Sequence, residues 1–246
     1  MPNQAHSNKL EVLYQDGPCL VVNKPAGLLT QAPRGIDSLE VRIKEFYRLR
    51  EKKPAEANIY LGLAHRIDRP VTGAIVFARH VRAARKLCSQ FADRTVSKTY
   101  WAVVQGKVTP NEGTWTDYLH KQPGMAQVEV VDSDHPAAKE AILRYRVLWQ
   151  GEMLLHTGSW LEIELLTGRT HQIRIQAASR GHAVLGDGQY GSQIPFGTQH
   201  PELRDRAIAL HARQLGFRHP MSGKAVDVLA PLSADWAPLE LPLDMI

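Results

Sequence analysis

Residues 64–80 read AHRIDRPVTGAIVFARH, and this stretch changes character halfway. Its first half is polar and holds a single carboxylate, Asp68, with Arg69 beside it and Arg66 two residues before it. Its second half is an apolar run from Val71 onward, which is typical of a buried strand. The residues alone leave two interpretations open. Asp68 forms an ordinary ion pair in a loop before a sheet, or it is a nucleophile or base whose charge the arginines hold in place.

The segments around this stretch predict further strands. Two apolar runs flank the turn at 16–18, which predicts two short strands. Residues 97–108 alternate with period two, and the apolar runs at 140–150 and 160–166 have strand character as well. Residues 206–231 combine helix, strand, turn and strand character, and we expect the remaining tail to be packed coil.

Three segments have the spacing of helices. Residues 36–54 place apolar side chains four apart, which predicts a helix that begins at Ser38 as N-cap and ends at Pro54. Residues 80–94 predict a second helix. A third is expected between Thr170 as N-cap and Gly181, about three turns long. Strands joined by hairpin-like turns rather than by regular βαβ alternation favour an α+β fold with a mixed, largely antiparallel sheet flanked by helices.

Composition narrows the class of protein. The chain has 246 residues, of which 43% are hydrophobic and 22% charged, so it is long enough to fold around a core without disulfide bonds. No apolar run approaches the ~20 residues of a membrane span, and MPNQAHSNKL lacks the apolar centre of a signal peptide. We therefore expect a cytoplasmic protein with a flexible tail at 1–9. The net charge of +5 is compatible with a polyanionic partner.

Several common site motifs are absent from the sequence. It has no phosphate-binding glycine loop, no dinucleotide fingerprint, no nucleophile elbow and no H-E-x-x-H. His65 with Asp68, and His182 with Asp187, do not have a known ligand spacing, and no cysteine joins them. The sequence thus predicts no metal and no nucleotide cofactor. The polar candidates that remain are Asp68, Tyr100 on a strand, and the start of the third helix.

Five blocks in one order resemble the RluA-type pseudouridine synthases. HRIDRPVTGAIVFAR is similar to the family's H-R-L-D-R-x-T-S-G signature, and LVVNKPAGLLT to its V-N-K-P-x-G segment. SKTYWAVVQG resembles its K-x-Y-x-A-x-V-x-G strand. LLTGRTHQIRIQAASRGHAVLGDGQYG and ALHARQLGFRHPMSG resemble two further blocks of the family. The resemblance covers roughly residues 11 to 231, and so much ordered similarity is far more specific than a lone HRID.

The resemblance implies an activity and a fold. These enzymes convert uridine in RNA to pseudouridine without a cofactor, in a cleft across the sheet of the pseudouridine synthase fold. By position, Asp68 matches their catalytic aspartate, Tyr100 their active-site tyrosine and Arg174 the arginine of their third motif. Arg66 matches an arginine that can help to displace the target base.

The chemistry fits these residue types. Breaking a glycosidic bond develops positive charge at the sugar, which an ionised carboxylate can stabilise, capture or relieve by taking a proton. We expect Arg174, rather than Arg66 or Arg69, to hold Asp68 by paired hydrogen bonds, because a residue adjacent in an extended loop points the other way. Tyr100 would stack on the base and take part in proton transfer. Arg66 and Arg69 would then be free to bind RNA.

The resemblance also implies the partner. The target nucleotide must leave its helix to enter a cleft, and RNA loops and junctions make this least costly. Ribosomal RNA is favoured and transfer RNA is possible. The start of the third helix supplies two more expected substrate-binding residues, Arg169 and His171. The basic face of the second helix, with Arg82, Arg85 and Lys86, is either a solvated surface or a phosphate contact.

The sequence departs from the family pattern at a few positions. Ile67 replaces Leu, Val71-Thr72 replaces Thr-Ser, and Ala183 stands where proline is common. None removes a group assigned to catalysis, although the second change removes one hydroxyl from the loop. We expect residues 10–246 to be the catalytic domain without a separate N-terminal RNA-binding domain, working as a monomer.

Two other functions are compatible with the same fold. One is a catalytically silent RNA-binding protein or RNA chaperone, which the retained Asp68, Tyr100 and Arg174 argue against. The other is a hydrolase of nucleosides or RNA with Asp68 as nucleophile, which the five-block resemblance disfavours. A chemical map of pseudouridine in RNA treated with wild type or with Asp68→Asn separates the leading function from both alternatives, since identical maps would exclude pseudouridine synthesis.

Overall fold

One mixed sheet dominates the computed structural model, which describes residues 10–245. The expected tail at 1–9 lies outside the described residues. In chain order the strands are β1 (Val12–Asp16), β2 (Cys19–Lys24), β3 (Gly62–Leu63), β4 (Thr72–Ala78), β5 (Ser97–Gln105), β6 (Glu112–His120), β7 (Glu129–Val131), β8 (Lys139–Met153), β9 (His156–Leu165), β10 (Leu210–Arg218) and β11 (Ala225–Leu229).

The sheet is largely antiparallel, as the sequence predicts. Its order is β1-β2-β4-β10-β5-β9-β8-β6-β7, with β3 paired to β4 and β11 paired to β10. Between residues 10 and 245, β4 with β10 is the one parallel pair of strands. The expected α+β class is therefore confirmed. The helix expected within 206–231 does not form, because that segment is taken into the sheet as β10 and β11.

The α-helices of the described chain are α1 (Leu39–Arg50), α2 (Val81–Ala92) and α3 (Gln172–Ala178). Ser38 caps α1 as predicted, since its hydroxyl accepts a hydrogen bond from the Val41 amide. The helix ends at Arg50, before the predicted stop at Pro54. None of the helices in residues 10–245 is long and apolar enough to span a bilayer.

The sheet is covered by side chains on both faces. Residues of β2 alternate between the two cores: Leu20 and Val22 pack in the core that includes α1, whereas Cys19 and Val21 pack in the core that includes α2. Every residue of β4 is buried, as expected for a strand covered on both sides. On α2, Ala83, Ala84 and Leu87 are buried, whereas Cys88 is exposed.

The parallel pairing of β4 with β10 positions the polar loop that precedes β4. Gly73 pairs with Ala212, and Ala212 pairs on its other side with Tyr100 of β5. Gly73 has φ +118°, and a Cβ at this position would lie 2.3 Å from the Ala212 carbonyl oxygen. Only glycine permits this approach of the two backbones. The start of β4, and with it the Asp68 loop, is thereby held close to Tyr100.

Candidate active site

The backbone on both sides of Asp68 is held by buried side chains. The Thr30 hydroxyl donates to the Ile67 carbonyl at 2.9 Å. The Lys24 ammonium donates to the Arg69 carbonyl at 3.0 Å and to the carbonyls of Pro25 and Leu28. Lys24 is fully buried, and its burial lowers the pKa of the ammonium to about 7. These contacts fix the loop, while the Asp68 side chain remains 28% exposed.

Tyr100 lies on β5, where the register of the sheet places it beside the start of β4. Its side chain is buried in the core but lines the same cavity as Asp68. Burial, and then the charge of Asp68, raise the pKa of Tyr100. The phenol is therefore protonated at neutral pH, and it can donate a hydrogen bond or offer its ring for stacking.

Arg174 stands between two carboxylates. Its Nη1 lies 3.6 Å from Asp68 Oδ2, whereas its Nε and Nη2 donate to the two Asp187 oxygens at 2.6 and 2.8 Å. Nη2 also donates to Gln189 Oε1 at 2.9 Å. The expected paired hydrogen bonds are thus made to Asp187 instead of Asp68. Because Asp187 occupies one edge of the guanidinium, only Nη1 is left to face Asp68, at ion-pair distance.

His171 faces Asp68 from the other end of a hydrogen-bonded chain. Its Nδ1 lies 2.8 Å from the Tyr190 hydroxyl, which accepts a hydrogen bond from the Val128 amide. The hydroxyl hydrogen is then available to Nδ1, which leaves the ring hydrogen on Nε2, 3.9 Å from Asp68 Oδ2. Burial lowers the pKa of His171, so that the neutral ring predominates at pH 7.

The start of α3 differs from the prediction. Thr170 was expected as N-cap, but the cap residue is His171, whose backbone is left-handed with φ +53° and whose side chain does not cap the helix. The Gln172 side chain forms the hydrogen bonds at the start of this helix instead. Its Oε1 accepts from the Arg169 amide at 3.0 Å and from the Thr167 hydroxyl at 2.8 Å. The helix is shorter than expected, and this turn aims His171 at the cavity.

The other arginines expected to bind substrate differ in whether protein groups already bind their side chains. Arg66 is exposed, lines the cavity, and has no hydrogen-bond or ion-pair partner within residues 10–245. Arg69 is not free as expected, because it donates to the Gly27 carbonyl at 2.8 Å and pairs with Asp205. Arg169 lines the cavity, with its Nε bound to the Glu140 carbonyl at 2.8 Å.

The expected phosphate contacts on α2 lie outside the cavity. Arg82, Arg85 and Lys86 are all exposed, and none of them lines it. Their side chains have no ion-pair partner in the described part of the chain. They remain a basic surface beside the cleft, without contact to the group around Asp68.

One cavity brings the site together. It has a volume of about 1310 Å³ and is lined by Asp68, Tyr100, His171 and Arg174. Asp68 and Asp187 are its carboxylates, and further basic residues surround them: Arg66, Arg69, Arg94, Lys98, Lys121, Arg169, Arg204 and Arg206. A cleft with this excess of positive charge attracts a polyanion. Among the described residues, no three His, Cys, Asp or Glu side chains cluster in a way that could hold a metal ion.

A family model described as RNA pseudouridylate synthase matches residues 18–179. The chain belongs to the RNA pseudouridylate synthase family. It is therefore an isomerase that converts uridine in RNA to pseudouridine. The resemblance identified from the five sequence blocks is confirmed.

Curated relatives cover nearly the whole chain. An uncharacterized RNA pseudouridine synthase of Synechocystis is 33% identical over 240 residues, which are 96% of this chain and 69% of the relative. Ribosomal large subunit pseudouridine synthase D of Zymomonas mobilis is 32% identical over 96% of this chain and 74% of the relative. The protein of the same name from Pseudomonas aeruginosa is 33% identical over 94% of this chain and 71% of its own length.

Solved structures agree on the fold. Human RNA pseudouridylate synthase domain containing 1 has a TM-score of 0.74 at 23% identity, covering 99% of this chain and 95% of its own. Human RNA pseudouridylate synthase domain containing 4 has a TM-score of 0.73 at 22% identity, covering 95% and 94%. The expected pseudouridine synthase fold is confirmed.

Sequence reasoning missed three residues of this family member's site. Asp187, Gln189 and Tyr190 hold Arg174 and His171, yet they were not assigned a role. All three lie within GDGQYG, which was noted only as part of a block that resembles the family. An aspartate followed three residues later by a tyrosine, in a glycine-rich turn after the apolar run AVL, was the available signal.

Proposed function

We propose that this enzyme modifies a uridine of ribosomal RNA, with Asp68 as the catalytic carboxylate. The observation that carries the proposal is the convergence of Asp68, Tyr100, His171 and Arg174 from three separate segments on one basic cavity. The names of the relatives from Zymomonas mobilis and Pseudomonas aeruginosa support ribosomal RNA over transfer RNA. Because these relatives are named as enzymes of ribosomal RNA, we also propose that this protein acts in the cytoplasm.

The proposed reaction begins with a nucleotide turned out of its helix into the cavity. Arg66 is exposed at the cavity and has no protein partner among residues 10–245, so its guanidinium can occupy the space that the base leaves. The basic lining holds the phosphates on both sides of the nucleotide. The exposed face of α2, with Arg82, Arg85 and Lys86, would extend this contact outside the cavity.

Asp68 then acts on the nucleotide. The N1–C1′ bond breaks, uracil turns, C5 bonds to C1′, the C5 hydrogen leaves as a proton and N1 gains one. The Arg174 guanidinium faces the carboxylate at 3.6 Å and stabilises its charged form. Tyr100 stays protonated and stacks on the uracil while it turns. The reaction is an isomerisation without net oxidation, and all these residues come from one chain, so the proposal needs neither a cofactor nor a second subunit.

The test compares wild type with Asp68→Asn on ribosomal and transfer RNA lacking modifications. Chemical mapping should show a new pseudouridine in ribosomal RNA with wild type and none with the variant, which keeps the shape of the side chain but not its charge. Identical maps for the two proteins would refute the role of Asp68 and favour a silent RNA-binding protein. A new pseudouridine in transfer RNA alone would refute the proposed substrate.

A further inference from the structure

In the described part of the chain, two cations on one side of the cavity lack an anionic partner. Lys98 and Arg94 both line it, and neither has a carboxylate within ion-pair distance among residues 10–245. Arg66 is likewise without a partner in the described residues, whereas Arg69 pairs with Asp205 and Arg174 with Asp187. Lys98 is moreover partly buried, and a partly buried cation without a partner is unfavourable unless an anion joins it.

The strand β5 sets the distance of Lys98 from the reacting group. Lys98 and Tyr100 are two residues apart and both face the cavity, which corresponds to about 7 Å along the strand. The Lys98 ammonium also lies over the loop that leads to His171, because a Cβ built on Gly168 would be 3.8 Å from Nζ. The absence of a side chain at Gly168 leaves room beside the ammonium for a ligand.

The two cations act on each other. Burial, and then the charge of Arg94, lower the pKa of the Lys98 ammonium. The neighbouring His65 cannot balance these charges, because an imidazole is neutral or positive. Its Nε2 accepts a hydrogen bond from the Val76 amide, and its ring stacks on Phe91. A bound anion would relieve this repulsion. In an RNA whose base occupies the cavity, the nearest anions are the phosphates of the flipped nucleotide.

We propose that Lys98 and Arg94 form a phosphate-binding subsite that holds a phosphate flanking the flipped uridine. The inference rests on the proposed function. It adds the residues that determine how deeply the nucleotide enters the cavity. The phosphate would then be held about 7 Å along the strand from Tyr100. The sugar would lie between this subsite and the Asp68 carboxylate. Lys98 is thus a substrate-binding residue, without a part in the bond changes.

The first experiment measures RNA binding at the subsite independently of catalysis. Binding of a short fluorescent oligouridylate is measured against salt for wild type, Lys98→Gln, Arg94→Gln and Lys98→Arg. Loss of one phosphate contact should weaken binding about tenfold and reduce the slope of log K against log salt by about 0.7. Lys98→Arg should keep both. The matched control is Lys107→Gln, an exposed lysine outside the cavity, just past the other end of β5.

The second experiment locates the phosphate. An RNA fragment with the mapped target uridine carries one uncharged methylphosphonate, on its 5′ or its 3′ side. Wild type should lose about tenfold in affinity at one of the two positions, and Lys98→Gln should lose nothing further there. A salt slope for Lys98→Gln equal to that of wild type, or equal losses in both proteins at both positions, would overturn the subsite. Absence of any pseudouridine would refute the proposed function, while the oligouridylate still tests the subsite.

Discussion

Replacement of Asp187 by asparagine tests how Arg174 is held. Arg174 is 3% exposed and Asp187 1% exposed, and two short hydrogen bonds join them. Removal of one partner from a buried ion pair typically costs 3–5 kcal/mol, because the other charge is left uncompensated, so we take ~3–5 kcal/mol as the range. Here Asp68 remains 3.6 Å from Nη1, and the asparagine oxygen still accepts one bond. We therefore expect a loss near the lower end, about 3 kcal/mol.

Urea unfolding at neutral pH measures this loss, provided the transition remains two-state. The matched control is Glu162→Gln, which breaks an ion pair with Arg146 at 2.8 Å on the surface of the sheet. That pair is 59% and 31% exposed, so its loss should cost less than about 1 kcal/mol. A cost below 1 kcal/mol for Asp187→Asn would refute the view that Asp187 is the buried partner of Arg174.

Two further substitutions test Arg174 and His65. Arg174→Lys keeps the positive charge but cannot form a fork to Asp187 and still face Asp68, so we expect kcat to fall about a hundredfold with little change in KM. Equal changes in both constants would contradict that role. His65→Gln tests a half-buried neutral histidine whose pKa desolvation lowers to about 3. Below pH 6.5 His65 binds a proton in the unfolded chain but not in the folded protein. The free energy of unfolding therefore falls as the pH drops from about 6.5 toward about 3. Between pH 8 and pH 5 wild type should therefore lose about 2 kcal/mol more than His65→Gln in urea unfolding, and equal losses would rule the explanation out.

Local features predicted much of this structure. The cap of α1 at Ser38 and the hairpin of β1 and β2 depend on residues a few positions apart, and both formed as predicted. The α+β class followed from turns between strands, which are also local. The third helix was misjudged because Gln172, instead of Thr170, provides the side-chain hydrogen bonds that organise its first turn.

Charge pairing was harder to predict. Arg69 stands next to Asp68 in the sequence, yet it pairs with Asp205, which is 136 positions away along the chain. Arg174 was correctly expected to come close to Asp68, but its paired hydrogen bonds go to Asp187. Each of these ion pairs joins two separate segments of the fold, Arg69 with Asp205 and Arg174 with Asp187. The spacing of residues within one segment does not predict which other segment will lie beside it.

The sequence by itself determined the family, many of the strands and the identity of the polar candidates, because motifs, alternation and turn chemistry depend on neighbouring residues. It did not predict β3, β6 or β7. The tertiary structure decided which charge faces which. Parallel pairing at Gly73 brings Asp68 beside Tyr100, and the turn at Asp187 takes one edge of Arg174 and leaves the other for Asp68. Ion pairs depend on distance through space, and that distance is set only when separate segments pack together.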